Sequence, residues 1–207
     1  MSTFDAAFMG STVMMLDHDG SEKPLEVDRW ASRASHDDHA LIVDHCSGPT
    51  IDLGCGPGRL VRAVQERGVV SLGVDNSAEA VRLAKSRGIP VLHRDVFHPV
   101  PREGRWAHAL LADGNIGIGG RPIWLLRRVW SMLAIGGVLH VELDGPGIGL
   151  VHTWRQLRVD GQLGRRFAWA IVGVDAIAEL AHRAGFTHTT SLVRSGRHVA
   201  MLRKVQQ

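Results

Sequence analysis

Only two cysteines, Cys46 and Cys55, occur in the 207 residues. They form no metal-ligand pattern, and they read as the reduced complement of a cytoplasmic protein. Cys55 also lies inside a glycine loop, a poor place for a structural disulfide. No apolar stretch approaches the roughly 20 residues that a membrane-crossing helix needs. The opening MSTFDAAFMG has no basic segment leading into an apolar run, which reads against a signal peptide. Internal repeats, low-complexity tracts and Pro/Ser-rich linkers are missing as well. So is any dense Lys/Arg run with interleaved aromatics, the mark of a nucleic-acid surface. The expectation is a soluble, cytoplasmic chain. Its length suffices for one full core and is short for two.

The net charge of +3 is unevenly placed. Residues 151–207 carry nine Lys/Arg against Asp160, Asp175 and Glu179, a local +6 that leaves −3 for residues 1–150. A basic quarter of this kind can attract an anionic ligand. Here it reads as solvated arginine on strand and helix surfaces.

From residue 49 onward, short apolar runs alternate with helical periodicity, the pattern of βαβ units and a mostly parallel sheet. Strands are expected at Thr50–Leu53, Val69–Val74, Pro90–Arg94, Trp106–Ala112 and Val138–Leu143. Helices between them are expected from Arg59 to Arg67, from Ser77 to Gly88 and at Pro122–Leu133. Residues 13–27 read as a hairpin around Asp19–Gly20, and residues 151–172 as another around Asp160–Gly161. The Asp28–Cys46 segment reads as helical. A helix at Asp175–Ala184 and strands at Thr187–Arg194 and His198–Arg203 close the chain as an antiparallel hairpin. One domain results, divided into residues 1–27 as N-terminal hairpin or lid, 28–150 as core, 151–172 as a second hairpin, and 173–207 as final helix and strands.

The strongest chemical signal is IDLGCGPGRL at residues 51–60. Gly54, Gly56 and Gly58 make a turn between a strand and a helix, where side chains would block a ligand from the backbone. The helix N-terminus behind the turn offers free N–H groups. Arg59 and Leu60 stand where a dinucleotide fingerprint wants its third glycine. Asp52 would repel a pyrophosphate but suits a cationic amino-acid ligand.

With these features the chain resembles the class I S-adenosylmethionine-dependent methyltransferases, and the resemblance continues in order. GVDNS at 73–77 looks like the motif whose acid, here Asp75 beside Asn76, binds both ribose hydroxyls. RDVFHPVP at 94–101 looks like the next, with Asp95 toward the adenine amino group and Val96 beside it. LLADG at 110–114, with Ala112 and Asp113, and LAIGGVLHVEL at 133–143 resemble the fourth motif and the helix-to-strand junction after it. The cofactor set implied is Asp52, Gly54, Cys55, Gly56, Gly58, Asp75, Asn76, Asp95, Val96 and Ala112. The fold implied is α/β, a Rossmann-like, seven-stranded, mostly parallel sheet with an antiparallel final hairpin, plus the two added hairpins. The whole chain, with its FDAAF opening and LLADGNIGIGG segment, is similar to an actinobacterial methyltransferase-like family of unassigned substrate.

The resemblance implies methyl transfer from S-adenosyl-L-methionine to oxygen or nitrogen of a small molecule. DGNIGIGG at 113–120 lacks the Asn/Asp-Pro-Pro-aromatic signature of enzymes that methylate nucleobase amines, which argues against nucleic acid. Asp113 is the first candidate for a base and His152 the second. His140 and Glu142 read equally as satisfied core groups, and Asp144 is a weaker candidate. Asn115, Trp154 and Trp169 are expected on the acceptor side, the tryptophans either as an aromatic wall or as core. Met14, Met15 and Leu16 read as a lid or a core cap. The segment His36-Asp37-Asp38-His39 is expected as a solvated helix face, with no metal. Two other classes stay open: a nicotinamide-dependent oxidoreductase, disfavoured by the glycine spacing and Asp52, and a non-catalytic domain that binds the same cofactor.

Overall fold

The computed structural model describes residues 3–17 and 20–206, the side chains of His188 and Thr189 excepted. A 3-10 turn at Asp5–Phe8 precedes a hairpin of β1 (Val13–Leu16) and β2 (Glu22–Pro24); Asp19 of the expected turn lies outside the described residues. Two short helices follow, α1 (Val27–Ala31) and α2 (His36–Leu41). The alternating part then runs β3 (Thr50–Leu53), α3 (Arg59–Glu66), β4 (Ser71–Asp75), α4 (Ala78–Ser86) and β5 (Val91–His93). It continues through β6 (Trp106–Leu111), α5 (Pro122–Met132) and β7 (Leu133–Leu143). Three antiparallel strands come next, β8 (Leu150–Val159), β9 (Gln162–Leu163) and β10 (Phe167–Val172). The last elements are α6 (Ile177–Arg183), β11 (Phe186–Arg194) and β12 (Arg197–Lys204).

Seven strands form the central sheet in the order β11-β12-β7-β6-β3-β4-β5. The five from β7 to β5 are parallel, and β12 and β11 add the antiparallel edge expected from the sequence. Ile51, Leu53, Ala109, Leu111, Leu139 and Val141 are fully buried in it. Helices cover the faces of such a sheet, which is why its strands read as continuous apolar runs.

Three expectations change. The helical reading of Asp28–Cys46 gives way to two helices, because Ser35 starts α2 with a capping box: its hydroxyl accepts the Asp38 N–H, and the Asp38 carboxylate accepts the Ser35 N–H. The two added hairpins are not separate. β1 pairs with β8, so the N-terminal hairpin and residues 150–172 build one second sheet, β10-β8-β1-β2, with β9 beside β8. Finally, Asp38 is not on a solvated face. Its side chain is 1% exposed, while His36, Asp37 and His39 of the same helix remain partly or fully open to solvent.

Candidate functional site

The carboxyl ends of the parallel strands, with the turns that follow them, open onto a cavity of about 330 Å³. Open α/β sheets place their ligands at this edge. β3 brings Asp52 and the loop Gly54–Cys55–Gly56, and β4 brings Asp75 and Asn76. Asp95, Val96 and Phe97 come from the loop after β5, and Ala112, Asp113 and Asn115 from the loop after β6. The second sheet closes the far side with Phe167, Ala168 and Trp169 of β10, and the N-terminal segment adds Phe4, Phe8 and Trp30.

The three glycines of the loop have different jobs. A Cβ on Gly54 would lie 2.6 Å from the Asn115 side chain, and one on Gly58 would lie 2.8 Å from Ile89. Both are excluded by the protein itself. Gly56, at φ +53, would meet nothing nearer than the Phe8 ring at 3.9 Å, so its missing Cβ leaves room in the cavity. Gly58 does not line the cavity; it is the left-handed N-cap of α3.

Asp75 ends β4 with each carboxylate oxygen accepting one backbone N–H: Oδ2 from Gly56 at 2.8 Å and Oδ1 from Ser77 at 2.7 Å. A carboxylate has about four lone-pair sites, so each oxygen keeps capacity for one further donor. Asn115 is committed to the loop, its amide donating to the carbonyls of Leu53 and Gly54 at 3.1 and 2.9 Å. Asp95 accepts the Phe97 N–H at 2.9 Å.

Beneath the loop lies a ring of charges that no local pattern announced. Asp38 pairs with Arg59, whose other nitrogen meets Asp113 at 2.7 Å. Asp113 meets Arg29 at 3.1 Å, and Arg29 reaches Glu142 at 3.9 Å. Arg197 closes the ring, 2.7 Å from Glu142 and 2.9 Å from Asp38. Three acids alternate with three arginines. Burial raises the Glu142 carboxyl, but the Arg197 fork outweighs it and holds the group below the usual carboxylate range. Asp113 has the opposite balance: burial pushes it up against the pull of Arg59. Asp113 also sits at φ +52, and its N–H donates to Glu142 at 2.9 Å.

Asp52 stands apart from this ring. Burial lifts its carboxyl to about 7, with the nearby Asp113 charge adding to the rise. Cys55 is buried too, and its thiol is pushed well above the ordinary value by burial. Its sulfur would lie 2.5 Å from a Cβ on Gly73, so it packs against β4.

The geometry is one that distant proteins share. A methyltransferase from Bacteroides fragilis, described as S-adenosylmethionine-dependent and solved with S-adenosyl-L-homocysteine, superposes with a TM-score of 0.80 over 99% of this chain and 92% of that one at 15% identity. The Burkholderia thailandensis 1,6-didemethyltoxoflavin-N1-methyltransferase, solved with that substrate and S-adenosylhomocysteine, gives 0.63 over 86% and 82% at 21% identity. The fold is that of the class I methyltransferases. In sequence, a family model for the methionine biosynthesis protein MetW matches residues 36–101. Trans-aconitate 2-methyltransferase of Paracidovorax citrulli is 28% identical over 116 residues, covering 54% of this chain and 45% of that one. The same-named protein of Rhodopseudomonas palustris is 28% identical over 185 residues, 82% of this chain and 71% of that one. The chain thus spans less than half the length of the Paracidovorax protein.

Within the class I fold, the cavity gathers every residue expected around the cofactor except Gly58. It also gathers Asp113, Asn115 and Trp169, but not His152 or Trp154. On β8 the period-two alternation puts those two side chains on one face, where Trp154 is 60% exposed. The His152 ring instead contacts the Gly120 carbonyl at 2.9 Å. Trp169 packs edge-on against Phe167 with centroids 6.0 Å apart, and the Arg155 guanidinium lies 5.7 Å from its ring centre. Met14, Met15 and Leu16 line no part of the cavity; Val13 and Met15 instead join the small core of Ala7 and Leu157. The aromatic wall residues missed in the sequence are Phe4, Phe8, Trp30, Phe97 and Phe167; for Phe4 and Phe8 their spacing of four in an aromatic-poor chain was the available signal.

Proposed function

We propose that this chain is an enzyme that uses S-adenosyl-L-methionine to methylate oxygen or nitrogen of a small-molecule acceptor. The observation that carries the reading is the fit of the cavity floor. Gly56 leaves space where a Cβ would stand, Asp75 keeps two unused acceptor sites at the end of β4, and Asp52 is a buried acid. These features suit an adenosyl ribose and a cationic amino-acid tail. When bound, the cofactor supplies an electrophilic methyl group on a sulfonium. What the chain must supply is alignment and exclusion of water. Asp113, held by Arg59 and Arg29, is a positioning residue for the cofactor tail in this reading, and not a free base. The two free cysteines suit the reducing cytoplasm.

The acceptor side favours a neutral, flat molecule. Phe8, Trp30, Phe97, Phe167 and Trp169 stand around the cavity. Arg59 is the only basic side chain on its wall among the described residues, and it is already bonded to Asp38 and Asp113. A tricarboxylate such as the one named for the trans-aconitate relatives would find no uncommitted cation there. The cavity volume is at the low end for small-molecule sites, which range from about 300 to 1,000 Å³, and does not suit a folded macromolecule. The test is incubation with S-adenosylmethionine labelled on its methyl group and panels of aromatic, sugar and carboxylic acceptors. Label entering an aromatic alcohol or amine is expected. Label entering only polycarboxylates would overturn the acceptor reading, and no transfer in any panel despite cofactor binding would favour a non-catalytic binding domain.

A further inference from the structure

A second group of reactive side chains lies away from the cavity described above. Cys46 precedes β3, His108 lies on β6 and His140 on β7, and all three are buried. One donor atom from each lies within 4.8 Å of the other two. His108 and His140 line a separate cavity that shares no residue with the first.

The hydrogen bonds of this group do not close. His108 Nε2 accepts the Ser47 N–H at 3.2 Å, so the ring proton sits on Nδ1 and points to His140 Nε2, 3.0 Å away. The remaining proton of His140 is then on its Nδ1, and that buried atom has no hydrogen-bond partner among the described residues. His140 is 1% exposed. A buried polar atom in this state marks a missing partner. Nearby, the Cys46 thiol lies 3.4 Å from the Ile42 carbonyl and interacts with the Thr50 side chain.

We propose that Cys46, His108 and His140 form a binding site for a zinc(II) ion that ties the segment before β3 to β6 and β7. One thiolate and two imidazoles are the donor set a thiophilic d10 cation prefers. Bonds of about 2.0–2.1 Å to nitrogen and about 2.3 Å to sulfur set tetrahedral edges of roughly 3.3–3.6 Å. The donor atoms, now within 4.8 Å of one another, must adjust by ring and thiol rotation to reach that figure. In the tautomers above each ring's lone pair already accepts a hydrogen bond, so the ion takes the place of the His108–His140 hydrogen bond and the His108 proton leaves Nδ1. The thiol is held up at about 12 by burial, so the ion must displace its proton. If the His108 proton moves to Nε2 on binding, Ser47 Oγ stands 3.4 Å away to accept it.

Cobalt(II) is the probe. The metal-stripped chain, shown to be folded by circular dichroism, is expected to bind one equivalent. It should then show a thiolate-to-cobalt charge-transfer band and the intense visible bands of a tetrahedral ion, and zinc should bleach both. Cys46→Ser should lose the charge-transfer band and bind zinc at least about a hundredfold more weakly, since loss of a direct ligand costs no less than loss of its support. His36→Ala, on the exposed helix, should change neither. Absence of the bands in folded wild-type protein would overturn the proposal, as would a thiolate band that survives Cys46→Ser. If Cys46→Ser does not fold, His108→Asn takes its place, and retention of the tetrahedral bands there has the same consequence.

Discussion

Replacing Asp52 with asparagine measures what the buried acid costs the chain before any ligand arrives. Asp52 is 3% exposed and titrates at about 7, against about 3.9 for an unfolded aspartate. The folded chain therefore holds this proton more tightly than the unfolded one. Stability from this group falls as pH rises from about 4 to about 7 and is level outside that window. Three pH units at about 1.36 kcal/mol each amount to about 4 kcal/mol lost above pH 7, an upper figure because Asp113 and Arg59 act on the same group. Asp52→Asn removes the charge and the pH dependence with it. Urea unfolding from pH 4 to pH 8 should show no gain for the variant at the acid end and a gain of a few kcal/mol at the alkaline end. The same variant should bind S-adenosylhomocysteine at least about tenfold more weakly, since a charge-assisted bond to the ligand is gone. Parallel stability curves for the two proteins across that range would refute the buried-charge argument.

Other positions test the remaining parts. Asp75→Ala should weaken S-adenosylhomocysteine by at least about tenfold in calorimetry, through lost ribose bonds and a loosened Gly56 loop. Arg59→Met leaves Asp38 buried beside only one arginine, and should lower urea-unfolding stability by about 3–5 kcal/mol. Asp113→Asn should reduce cofactor affinity and turnover together if the residue positions the tail. A fall of about a hundredfold in turnover alone would instead make it the proton acceptor.

Much of the central sheet was legible because its signals are local. Apolar runs, the glycine turn at 54–58 and the capping Ser77 each lie within a few residues of what they determine. Asp75 and Asp95, expected from the resemblance of their segments to methyltransferase motifs, both line the cavity. The ion-pair ring was not legible: Asp38 meets Arg59 from 21 positions away and Arg197 from 159, and only the fold brings them together. The same holds for the second sheet, in which Val13–Leu16 pairs with Gln156–Val159. That pairing joins two apparent hairpins into one sheet, of which β10 reaches the cavity. His152 and Trp154 lie outside the cavity lining for a smaller reason. The alternation of β8 was readable, but in the second sheet it is β10, paired beside β8, that supplies the residues at the cavity.

Calorimetric titration of S-adenosylhomocysteine into the wild-type chain and into Gly56→Val tests the central claim most directly. The Gly56 side of the loop is open to the cavity, so valine there obstructs the ligand; at φ +53 it also strains the loop, and the variant counts only if it stays folded. One-to-one binding by the wild type, abolished in a variant whose circular dichroism is unchanged, is the predicted result. Undiminished binding by the folded valine variant, or none by the wild type, would contradict the assignment of this cavity to the cofactor.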